Sequence, residues 1–157
     1  MTSPPTRTPV VFDCNVFAQA LINPRGPAGR CLLLAQQGRV RLFLSDFILN
    51  ELRELPAKLP VKLGVTLDRV EALIVDLAKY AEPVAKVPSL FTYARDPDDA
   101  LYVSLALVSG AMLVVSRDLD LLDLMNDANE EGRTLRARFP QFRVLTPPAF
   151  LTMVTVE

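Results

Sequence analysis

Four short segments of the chain place acids where an ordinary surface would not need them. Val10-Val11-Phe12 runs directly into Asp13, with Asn15 two residues on; Leu49-Asn50-Glu51-Leu52, Asp96-Pro97-Asp98-Asp99-Ala100 and Ser116-Arg117-Asp118-Leu119-Asp120 follow. Taken singly, Asp98, Asp99 and Asp118 are explained as helix caps, because a carboxylate accepts bonds from free backbone amides and favours the positive end of the macrodipole. Taken together, carboxylates gathered at one rim repel and raise one another's pKa values unless a cation neutralises them. Oxygen ligands without His or Cys favour Mg²⁺ or Mn²⁺, one ion or two, and Mg²⁺ retains waters that leave room for a substrate phosphate. The chemistry this suits is phosphodiester hydrolysis by a metal-activated water. Asn15 is placed to orient Asp13 or a bound water without adding charge.

Composition narrows the alternatives. The chain has 157 residues, 50% of them hydrophobic, which is enough for one domain with a substantial core and short for two. It has no histidine, which removes Ser-His-Asp, Cys-His and paired-histidine mechanisms. Two cysteines, Cys14 and Cys31, read as reduced, buried small residues, and structural zinc would need an unusual ligand set. No apolar run approaches the roughly 20 residues that span a bilayer, and the start lacks a signal-peptide core, so a cytoplasmic protein without membrane attachment is expected. The net charge of −1 gives no bulk attraction for a polyanion; nucleic-acid binding would need a local basic patch.

The elements that must position the acids alternate along the chain. Residues 1–8 read as a flexible leader and 9–157 as the domain. A strand ends at Asp13, short helices are expected over 15–22 and 28–37, and a strand over 40–44. A helix over 47–55 places Glu51 beside the buried face made by Ile48, Leu52 and Leu55 and turns Glu54 away. Residues 56–64 read as a turn or irregular helix end, Asp68 and Glu71 have capping-box spacing for the next helix, and 84–87 is a short edge strand. The segment 98–109 is a helix buried on most sides with its acids at the N-terminus; 111–115 is a buried parallel strand. A loop with a short helix over 126–138, a strand over 142–145 and a helix over 147–153 complete the chain. Such alternation predicts an α/β fold with a parallel sheet, whose ligands bind beyond the carboxyl ends of the strands near a topological switch point.

The set Val-Phe-Asp13-Cys-Asn15-Val, Leu-Asn-Glu51-Leu, Asp96-Pro-Asp-Asp99 and Ser116-Arg-Asp118-Leu-Asp120-Leu, in this order and spacing, resembles the PIN-domain nucleases, particularly the VapC-like toxins. The resemblance covers nearly the whole chain. It implies a three-layer α/β/α fold with a mainly parallel sheet and a metal-dependent ribonuclease, often dimeric and held inactive by a cognate antitoxin. The matching catalytic and metal-binding positions are Asp13, Glu51, Asp99 and Asp118; Asn15, Ser116 and Asp120 are supporting, and Asp96 lies outside them. Cys14 and Ser116 stand where Thr or Ser and Thr are more usual, and neither change removes a carboxylate. Arg25, Arg30, Arg95 and Arg117 lie near the motifs and are candidates for RNA backbone contacts. Two other readings remain: a PIN module that binds RNA or protein without cutting, and a phosphatase with Asp13 as nucleophile. The second needs a general acid two residues on, where Asn15 cannot serve.

Overall fold

A computed structural model describes residues 7–156. Strand β1 (Thr8–Phe12) leads into α1 (Cys14–Ile22) and α2 (Pro27–Gln36), which return the chain to β2 (Val40–Leu44). Helices α3 (Asp46–Lys58) and α4 (Leu67–Leu77) connect to the two-residue edge strand β3 (Glu82–Pro83). Helix α5 (Asp99–Ser109) then runs into β4 (Leu113–Val115), and α6 (Leu119–Leu122), a 3₁₀ turn (Asp123–Met125) and α7 (Glu130–Arg138) lead to β5 (Arg143–Leu145) and the closing α8 (Pro147–Val156). The five strands are all parallel, in the order β3-β2-β1-β4-β5, with helices flanking the sheet in the expected three-layer α/β/α arrangement. Val10, Val11 and Phe12 are wholly buried, as a central strand covered on both faces requires. The chain leaves β1 toward β2 and later returns on β1's other side as β4. The switch point therefore lies between the carboxyl ends of β1 and β4, where Asp13 and Ser116 sit.

Several boundaries differ from expectation, each for a local reason. Of the expected leader, residues 1–6 lie outside the described residues, whereas Thr8 already pairs with Val40. Helix α3 continues through Pro56 to Lys58: the proline falls in the last turn, where it removes one backbone bond while the Ile48, Leu52 and Leu55 face stays buried. Helix α4 is capped by Thr66, whose hydroxyl accepts from the Arg69 amide at 3.2 Å, not by an Asp68–Glu71 box; Glu71 pairs instead with Arg53 at 2.9 Å. The edge strand lies at Glu82–Pro83 rather than 84–87, fastened by a two-point pair between Arg41 and Glu82 at 2.8 Å. Residues 111 and 112 stay outside β4, because Met112 takes a positive φ of 58° after Gly110 ends α5 in the left-handed region. The short helix expected within 126–138 is the nine-residue α7, capped by Asn129 through a 2.9 Å bond from the Gly132 amide. No helix among the described residues is long and apolar enough to cross a membrane.

One contact is tight enough to carry a prediction. A Cβ on Gly29, in the first turn of α2, would lie 2.0 Å from the Pro24 carbonyl oxygen, so the helix and the preceding loop touch backbone to backbone. Gly29→Ala is expected to destabilise the fold by about 3 kcal/mol, the upper part of the range for overpacking, read as a lower urea midpoint at unchanged m-value.

Candidate active site

The ends of β1 and β4 are joined by a chain of hydrogen bonds. The Asp13 amide donates to the Val115 carbonyl at 3.0 Å. The hydroxyl of Ser116, itself fully buried, donates to Asp13 Oδ2 at 2.7 Å and accepts from the Asp118 amide at 2.8 Å. Asp118 Oδ1 in turn accepts from the Asp120 amide at 2.8 Å, capping α6. On the other side, Asn15 Oδ1 accepts from the Arg117 amide at 3.3 Å. Thus Ser116 and Asn15 clamp the turn after β4 to the turn after β1, and Ser116 fixes the rotamer of Asp13.

Asp99 arrives from the N-terminus of α5, a helix packed on both β1 and β4. Carboxylate oxygens of Asp13, Asp99 and Asp118 lie within 4.8 Å of one another, and Asp96, Asp99 and Asp120 form a second such group that shares Asp99. Asp96 is held by accepting from the Asp98 and Asp99 amides at 3.2 and 3.3 Å, so it caps α5 and orients the helix that presents Asp99. Burial pushes the Asp13 carboxyl up to about 6; the Ser116 hydroxyl opposes this, while Asp118 and Glu51 add to it. Asp99 is held well above the usual carboxylate range by burial first, then by Asp118, Asp96 and Asp13. Its Oδ2 is buried with no hydrogen-bond partner among the described residues. A carboxylate with a buried, unpartnered oxygen, grouped with two further acids, costs stability unless a cation neutralises it, so this donor set fits a hard divalent ion.

Glu51 is half-buried, as its helical position predicts, but its carboxylate is not in either close group. Instead its Oε2 accepts a hydrogen bond from the Tyr102 hydroxyl, which itself accepts from the Cys14 amide at 3.1 Å. Because that amide has only a donor to offer, the tyrosine proton must point at Glu51, which is thereby held as an acceptor at the edge of the acidic cluster. Burial raises the Glu51 pKa, and the Tyr102 bond opposes it. Tyr102 is absent from the sequence-derived set, where it counts among the apolar residues of its helix. The available signal was its hydroxyl, since a tyrosine buried in such a helix needs a polar partner. Tyr102→Phe leaves the Cys14 amide without its acceptor and is expected to cost about 1–3 kcal/mol, measured by denaturant unfolding.

The four arginines separate. Arg95 is engaged with acids, 2.7 Å from Asp123 and 3.6 Å from Asp120, with its half-exposed guanidinium over the Tyr93 ring. Asp120 accordingly faces Arg95 as well as the second acidic group. Arg25 and Arg30 are exposed, before and within α2, and Arg117 is exposed beside the acids. Cys14 and Cys31 are free and buried, and burial pushes both thiols up to about 12, which leaves them unreactive.

The family model described as PIN domain matches residues 9–120. The chain is 30% identical over 144 residues to the uncharacterized protein MJ1680 of Methanocaldococcus jannaschii, covering 90% of this chain and 88% of that one. Among solved structures it is similar to VapBC2 from Rickettsia felis bound to a DNA fragment from their promoter, with a TM-score of 0.53 at 14% identity, over 88% of this chain and 98% of that one. Sequence, fold and the acids at the β1–β4 switch point agree, and the chain belongs to the PIN-domain family.

Proposed function

We propose that this PIN-domain protein is an Mg²⁺- or Mn²⁺-dependent endoribonuclease and the toxin of a toxin–antitoxin pair. The observation that carries the nuclease reading is the gathering of Asp13, Asp99 and Asp118 with carboxylate oxygens within 4.8 Å of one another, Asp99 having a buried Oδ2 without a hydrogen-bond partner among the described residues. Asp13, Asp99 and Asp118 would hold the cation, which when bound supplies Lewis acidity toward a phosphate oxygen and a nucleophilic water at neutral pH. Ser116 keeps Asp13 in its rotamer, Asn15 holds the Arg117 turn against α1, and Tyr102 directs Glu51 toward the cluster as a general base or water-orienting group. Arg117 is the proposed phosphate contact. A phosphatase with Asp13 as nucleophile is disfavoured, because Asp13 is engaged by Ser116 and its second-position partner is an amide.

The toxin reading is supported by fold similarity to VapBC2, and an antitoxin and a second copy of the chain are the proposed protein partners. Leu101 and Val108, two turns apart on α5 and at least 36% exposed, offer one apolar stripe for such contacts. The test incubates the pure protein with single-stranded RNA and with a phosphomonoester, each with Mg²⁺, Mn²⁺ or EDTA. RNA cleavage that requires the metal is expected. Metal-independent binding without cleavage would establish the non-cutting module, and phosphomonoester turnover the phosphatase.

A further inference from the structure

A cleft of about 570 Å³ opens beside the acidic cluster, bordered by α1, the start of α2, α6 and the start of α8. Its wall nearest the cluster is Arg117 and Leu119, the residues on either side of Asp118. Gln19 lines it from α1 and Asn23 from the residue that follows that helix. Asn15 and Gln19 stand one turn apart on the same side of α1, about 6 Å along its axis, and Asn23 follows at the residue that ends the helix, so three side-chain amides recur at every fourth position, beginning beside Asp13. Asn15 is used internally, accepting from the Arg117 amide. The Gln19 and Asn23 side chains and the Arg117 guanidinium have no hydrogen-bond or ionic partner among the described residues.

Their chemistry selects an occupant. A phosphate presents only acceptors and would leave the amide oxygens of Gln19 and Asn23 unused, whereas each amide offers a donor and an acceptor side by side, the pattern that matches a base edge. Pro27, Pro147 and Leu122 add apolar surface for the face of a flat ring. The volume lies within the range of sites that enclose a small ligand. A base in a duplex has its pairing edge occupied, so the occupant must come from a single strand.

The geometry points to a base-reading subsite: the cleft takes one unpaired nucleobase of the RNA next to the scissile bond, its edge on Gln19 and Asn23 and its phosphate on Arg117. This rests on the nuclease reading and adds to it a source of sequence preference. The test measures binding of short oligo(A), oligo(C), oligo(G) and oligo(U) RNAs to the Asp13→Asn protein, which prevents cutting, with and without Gln19→Ala plus Asn23→Ala. The background protein is expected to spread the four affinities by about tenfold, the discrimination of one two-point base contact, and the double variant to reduce the spread to about twofold. Gln19→Glu, which keeps the shape and removes the donor, is expected to change which RNA binds best. An undiminished spread in the double variant, or no spread in the background, overturns the subsite. Metal-dependent cleavage by the wild-type chain is scored separately. If it is present while the spread fails, only the subsite is lost; if it is absent, the nuclease reading falls with it.

Discussion

Asp13→Asn is expected to reduce metal-dependent RNA cleavage by about 10³-fold or more at neutral pH, with the fold retained. The substitution keeps the side chain's size and leaves an oxygen for the Ser116 hydroxyl, so the bond that joins β1 to β4 survives. What disappears is one negative charge among three acids within 4.8 Å, and with it a hard ligand for the cation. Several kcal/mol of transition-state charge stabilisation depend on that ion, and each 1.36 kcal/mol is a factor of ten in rate. The measurement is the initial rate of cleavage of a labelled RNA with saturating Mn²⁺, beside a thermal melt of both proteins. Equal rates in the two preparations would assign the activity to a contaminant. Because burial raises Asp13 to about 6, wild-type cleavage is also expected to fall as pH drops below about 6, most steeply at low metal concentration where protons and cation compete.

Asp99→Asn is expected to act in opposite directions on two quantities. Without metal it should raise the melting temperature at pH 8; with metal it should abolish both cleavage and metal-induced stabilisation. The first effect follows from linkage. An acid whose folded-state pKa is raised contributes stability that is fully present below its unfolded value and is lost as pH rises through the folded one. Asp13 does this between about 4 and about 6, and Asp99, displaced further, continues the loss at higher pH. In EDTA the wild-type chain is therefore expected to lose stability from mildly acidic to alkaline pH through these two groups, whereas Asp99→Asn should lose less. Glu82 and Asp123, lowered by their arginine partners, act in the other direction at acid pH, so the informative quantity is the difference between variant and wild type. Relief of an unpartnered buried carboxylate is worth about 1–3 kcal/mol, and each kcal/mol moves the melting point by about 2–4 °C in a chain of this size. In wild type, cation at 100 times its dissociation constant should restore about 2.7 kcal/mol. A variant that melts no higher than wild type in EDTA at every pH, yet still responds to metal, would exclude Asp99 from the cation site.

Much of this architecture was legible before any coordinates. Strand β1 is a run of apolar residues that stops at Asp13, and its burial on both faces follows from composition alone. The inward set of Glu51 follows from the helical repeat of Ile48, Leu52 and Leu55. Legibility failed where a partner lay far along the chain or a local signal competed. Pro56 looked like a helix end because the gain from burying Leu52 and Leu55 is tertiary. Thr66 displaced the Asp68–Glu71 box because Glu71 found Arg53 on the neighbouring helix. Nothing local to Arg95 reveals its ion pair with Asp123, twenty-eight residues on.

The sequence by itself determined the alternating α/β order, the parallel sheet, and which acids stand at strand ends and helix starts, since these depend on periodicities of two and 3.6 residues and on local capping chemistry. Only the tertiary structure decided which acids meet. Packing α5 against β1 and β4 brings Asp99 to Asp13 and Asp118, leaves its Oδ2 unpartnered, and places the Tyr102 hydroxyl between Glu51 and the Cys14 amide. The recurrence of amides at Asn15, Gln19 and Asn23 was likewise written in the sequence, but the far walls of the cleft lined by Gln19 and Asn23 come from α6 and α8, roughly a hundred residues away. Through-space electrostatics and packing act over distances that sequence separation does not encode, and for that reason the residues were readable while their company was not.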